Sequence, residues 1–189
     1  MEVCWEAVTA IGTSVLALTG VVAIVYTRSQ LRQNRELVRV QHLRDLFREF
    51  DLAPMSDRRR ELAELRLDKD GVSPLDEDTA PQCLFDVLDF FEHIGLLVKR
   101  GYLSRDDVWD TFSYWMFNIF ADARSLIEQK RKEDPTVYSN LVKLIEQMRK
   151  IEKAKGGEAD TPSKEDIEGF YAYEKDRQPG VFLPTQRRP

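Results

Sequence analysis

The chain has 189 residues, 32% of them charged and 42% hydrophobic, with a formal net charge of −5. That acidity excludes general nucleic-acid binding, which needs a basic field to release counterions. Two cysteines, Cys4 and Cys83, exclude a disulfide framework and lack the spacing of a metal site.

The first element is an uncharged run from Ala7 to Thr27, followed by Arg28, Arg32, Arg35 and Arg39. As a helix it would be about 31 Å long, close to the thickness of a hydrocarbon core. Its polar members Thr9, Thr13, Ser14 and Thr19 are suited to bonding back to their own helix. Trp5 and Tyr26 stand at the two ends, where amphipathic rings favour a membrane interface. The opening MEVCWE holds two glutamates and no base, which argues against a cleavable signal. A core helix of a soluble bundle would keep a polar face, and this run shows only scattered threonines.

The run therefore reads as a single-pass transmembrane anchor over residues 1–27, with the lipid bilayer as a partner. The arginines place the N-terminus outside and the remainder in the cytoplasm, at a bacterial inner membrane. Spaced i, i+4, i+7 and i+11, they share one helical face, which serves either as a contact for anionic headgroups or as a topology signal alone. Ala10, Ser14, Ala17 and Gly20 fall along one side of the run and suggest a homodimer through this helix.

Residues 28–155 read as a cytoplasmic helical domain. The first helix continues past the arginines, and Val40, Leu43, Leu46, Phe47 and Phe50 share a face that docks into a core. A second short helix is expected from Ser56, as its cap, to Gly71, with Arg58–Arg60 as a solvated first turn. Positive charge there opposes the helix dipole, so an acidic partner is implied but not identifiable.

Pro81 opens and Gly101 closes a third helix that is apolar over more than half its circumference, as expected of the domain centre. Its narrow polar stripe is Asp86, Asp89, Glu92 and His93. Ser104 and Asp107 form a capping-box-like start for a helix running from Val108 to Ile127, with Phe117 alone on its far side. Asp134-Pro135 begins another, with Val137, Tyr138, Leu141, Leu144, Ile145 and Met148 buried. Residues 156–189 read as a polar and flexible tail, or as a linker followed by a short docking helix. The fold class is all-α, a single N-terminal transmembrane helix continuing into a cytoplasmic helical bundle.

The stripe on the third helix is the one candidate for chemistry. Asp89 and His93, four apart, would share a metal only if ligands arrived from elsewhere. The paired Glu-x-x-His of di-iron bundles and the His-Glu-x-x-His of zincins are both missing. No nucleophile elbow or phosphate-cradling glycine loop is present either. No catalytic, cofactor-binding or metal residue is assigned, no cofactor is expected, and a solvated polar face explains the stripe.

The segment LDFFEHIGLLVKRGYLSRDDVWDTFSYW, behind a basic extension of an N-terminal span, resembles the bacterial domain-of-unknown-function 4760 family. The matching positions are Phe91, Glu92, Gly95, Leu96, Leu97, Gly101 and Trp115, and the likeness covers roughly residues 5 to 150. It implies a membrane-anchored helical protein and carries no activity. The expected function is a membrane-tethered helical module that docks a cytoplasmic protein through the stripe, Arg58–Arg60 or the tail. The alternatives are a metal- or carboxylate-dependent enzyme built on the stripe, and a membrane-acting stress or defence effector.

Overall fold

The computed structural model describes residues 5–67, 75, 80–157 and 161–177. Every regular element among them is an α-helix: α1 (Trp5–Asp51), α2 (Met55–Arg66), α3 (Gln82–Lys99), α4 (Arg105–Asp122), α5 (Arg124–Glu133), α6 (Ser139–Ala154) and α7 (Lys164–Asp176). Two compact units result, Met1–Gln41 and His42–Pro189, with the division falling inside α1.

The all-α expectation stands, but its transmembrane part does not. Among the described residues no helix is long and apolar enough to cross a membrane. The uncharged run is one part of a 47-residue helix. It is diluted by Thr9, Gly12, Thr13, Ser14, Thr19 and Gly20 and meets charge at Arg28, and each hydroxyl or glycine reduces the apolar gain. The single-pass anchor, the outside-to-inside orientation and the inner-membrane location fall with it. The interfacial roles expected of Tyr26, Arg28, Arg32 and Arg39 had rested on that span. The side chains of Trp5 and Arg35, and those of Ala10, Ser14 and Ala17 in the small-residue seam, lie outside the described residues, as do Cys4 and Gly71.

In the second unit α3 is the hub, packed against α6, α2 and α4, while α4 also meets α5, α6 and α7. Cys83, Leu84, Val87, Leu88, Phe90, Phe91, Ile94 and Gly95 of α3 are buried, as an apolar arc wider than half a helix requires. Phe50, fully buried at the end of α1, stands 5.3–5.5 Å from the rings of Phe90, Phe91, Phe112 and Trp115. Mixed stacked and edge-on geometry suits ring quadrupoles.

Helix ends show where local sequence signals succeed. Arg100 ends α3, Gly101 takes φ +77°, and the Gly101 and Tyr102 amides donate to the carbonyls of Val98 and Leu97. This is the Schellman closure, and glycine adopts its left-handed residue without strain. Other signals fail. Met55 rather than Ser56 opens α2, and the Ser56 hydroxyl is buried without a hydrogen-bond partner. Ser104 sits at the cap of α4 but makes no side-chain cap bond. The expected 108–127 helix breaks at Ala123 into α4 and α5, and α6 starts at Ser139 after a left-handed Tyr138 with φ 49°. Phe117, on the far side of α4, is buried in the core rather than exposed as a contact surface. Residues 164–176 of the expected flexible tail form α7, with Ile167, Phe170, Tyr171 and Glu174 buried.

Candidate functional site

The α3 stripe is largely occupied in holding neighbouring helices. Asp86 accepts from Gln82 Nε2 at 3.0 Å and pairs with Arg58 Nε at 3.1 Å, joining α2 to α3. Tyr138 bonds to Asp89, and burial first, then this carboxylate, holds its phenol well above the usual range. Glu92 Oε1 accepts from the Asn140 amide at 3.2 Å and from Asn140 Nδ2 at 2.6 Å, and Oε2 accepts from the Leu141 amide at 2.7 Å. A carboxylate thus meets the unpaired N–H groups and positive dipole end of α6. His93 is exposed. Among the described residues no group of three His, Cys, Asp or Glu is placed to hold a metal ion.

A second arrangement lies where α7 covers α2 and α4 and the residue after it, Arg177, reaches Asp51 at the end of α1. Arg59, expected in a solvated turn, is only 4% exposed, and its guanidinium lies 3.9 Å above the Phe50 ring. Its Nη1 is 3.2 Å from Glu174 Oε2, while Glu174 Oε1 accepts from Trp115 Nε1 at 2.9 Å. Arg177, just past α7, donates to Asp51, stands 3.7 Å from Glu174 and 5.1 Å from the Trp115 ring. Two acids and two arginines therefore share a space closed by aromatic rings. Burial lowers the Arg59 pKa to about 10 despite the Glu174 charge. Guanidinium desolvation is the larger effect.

Beside this cluster Arg66 forms a two-point contact with Asp122, which also accepts from the Tyr171 hydroxyl at 2.7 Å. Burial, then the Asp122 charge, holds that phenol in its neutral form. Four buried side-chain atoms of the first cluster, Arg59 Nε and Nη1 and Arg177 Nε and Nη1, have no hydrogen-bond partner. Sequence reasoning missed Asp51, Glu174 and Arg177. The one signal was the arginine run at a helix start, which demanded an acid; Glu174 is remote in sequence and was unidentifiable from spacing.

The third feature is an apolar surface in the first unit. Leu16, Leu18, Val21, Val22, Ile24, Val25 and Tyr26 are 60–74% exposed. Arg28 and Arg32 beyond them are exposed, and Arg39 pairs with Glu36 at 3.4 Å.

The family model for a domain of unknown function, DUF4760, matches residues 10–148. The chain belongs to the DUF4760 family. No curated protein and no solved structure matches it. The seven positions that carried the sequence resemblance fall inside this DUF4760 domain, and several acquire physical roles. Glu92 caps α6, and at Gly95 an added Cβ would lie 2.7 Å from the Asn140 carbonyl, so the two helices touch there. Gly101 closes α3. Trp115, within the DUF4760 span, donates to Glu174, which lies beyond it.

Proposed function

We propose that this chain is a helical protein-interaction module whose contact surface is the apolar segment Leu16–Tyr26 of α1. The observation that carries the reading is the exposure of seven large hydrophobic side chains within eleven consecutive residues. Soluble surfaces rarely present contiguous apolar area of this kind unless a partner covers it. The other surfaces offered by the sequence are less suited. Three members of the α3 stripe bind neighbouring helices, Arg59 is buried, and α7 turns its apolar side into the core.

A partner that suits this segment presents an apolar groove to one helix, with carboxylates toward Arg28 and Arg32. The test is affinity capture with tagged full-length chain, wild type against a Leu18→Asp, Val22→Asp, Val25→Asp variant. The expected result is a protein retained by the wild type and lost by the variant, while both unfold at the same temperature. Equal retention by the two chains overturns the reading.

A further inference from the structure

We propose that the face formed by Asp51, Arg59, Arg66 and Trp115 is a helix-docking groove of the DUF4760 domain, and that α7 is its displaceable occupant. The ligand class is an amphipathic helix of a separate protein. It carries an adjacent aromatic pair, a carboxylate one turn later and a cation just past its C-terminal end. This site is independent of the apolar segment of α1.

Four observations converge on it. The groove residues lie within 10–148, whereas α7 lies outside the family match. The occupant meets the groove through Ile167, Phe170, Tyr171 and Glu174, the helix-in-groove spacing of i, i+3, i+4 and i+7, followed by Arg177 in extended backbone just past the helix end. α7 packs on α2 and α4, and among the described residues it makes no packing contact with α6, the helix before it in sequence. The connection between them begins at Gly156, which takes φ +81°, so the chain turns away from α6 there.

The fourth observation concerns the quality of the fit. Arg59 requires a countercharge and the Trp115 indole an acceptor, so no purely apolar helix satisfies the groove. α7 supplies both through Glu174, yet the carboxylate meets Arg59 at Nη1 alone, 3.2 Å away and outside hydrogen-bond geometry, and leaves the groove's Arg59 Nε without a partner. Buried donors left unmet weaken the closed state. A helix that places a carboxylate squarely on the Arg59 fork, as Asp122 does on Arg66, would gain what α7 leaves unmade.

The experiment uses the full chain and, as probe, a fluorescent peptide of residues 161–177. Because α7 competes in cis, apparent affinity falls with the fraction of grooves that are open. Two variants raise that fraction. Glu174→Ala removes the charge anchor, and Ser163→Ala with Asp166→Ala removes the cap of α7 without touching the groove. Each is expected to bind the peptide at least about tenfold more tightly than wild type. A peptide carrying its own Glu174→Ala change is expected to lose that gain. Should Glu174→Ala fail to fold, the cap variant decides. If the cap variant keeps a cooperative unfolding transition and binds no better than wild type, α7 is a fixed part of the core and the proposal falls. Energy transfer between differently labelled full chains would show α7 exchanging between copies and would overturn the assignment to a separate protein.

Discussion

At Gly95 the usual sign of a helical Gly→Ala change reverses. Alanine ordinarily stabilises a helix interior by about 1 kcal/mol. Here its methyl would meet the backbone of Asn140 at 2.7 Å and of Leu141 at 3.0 Å, where neither can swing aside. Gly95→Ala is therefore expected to destabilise by about 1–3 kcal/mol, read as a lower urea midpoint at unchanged slope. Glu92→Ala, three residues away, leaves two backbone N–H groups of α6 without their acceptor. A loss of about 2 kcal/mol is expected, more than for Glu92→Gln, which keeps one oxygen in place. Cys83 supplies a chemical check at the same scale. Burial pushes its thiol up to about 11, so the nucleophilic thiolate is scarce at neutral pH. In a Cys4→Ser background, alkylation followed by mass spectrometry should label Cys83 only after denaturant is added.

Among the elements, α7 shows how a helix apart from the family match is tied to it. Its start is a complete capping box: Ser163 Oγ accepts from the Asp166 amide at 3.2 Å, and Asp166 accepts from the Ser163 amide at 2.9 Å. Those bonds hold the Asp166 carboxyl below the usual carboxylate range. The cap is fully present above the ordinary value of about 3.9 and is lost as pH falls through the lower folded value. Acid below the ordinary carboxylate value of about 3.9 should therefore loosen α7 through this cap in the wild type but not in Asp166→Asn, followed by Trp115 fluorescence. Ser104 and Ser56 were equally plausible caps in sequence, and neither side chain makes a cap bond. Whether a hydroxyl turns onto its own helix end depends on what else packs there. At the other end of the unit, Phe50 anchors α1 into the aromatic cluster. Phe50→Ala should cost about 3–5 kcal/mol in thermal or urea unfolding, since four ring contacts and the Arg59 stack are lost together.

For the molecule as a whole, the α-helical class, the central place of α3 and the glycine closure at Gly101 were legible in the residues, because each follows from a periodicity or a short-range bond. The DUF4760 assignment was legible too, in a motif whose glutamate and glycine meet α6. The membrane span was not a sound inference from an uncharged run: among the described residues no helix meets the length and apolarity that crossing requires. The exposed apolar segment and the packed unit also imply separable behaviour. Aspartate substitutions at Leu18, Val22 and Val25, each more than half exposed, should leave the unfolding transition of residues 42–189 unchanged.

Sequence by itself thus determined the helices, their apolar faces and the family, all set by residues within a few turns of one another. Only the tertiary structure decided which charges are buried and with whom. Arg59 finds Glu174, Asp51 finds Arg177, and Glu92 finds the first turn of α6. Desolvation and Coulomb attraction act through space, and no spacing along the chain encodes which distant carboxylate a buried guanidinium will meet.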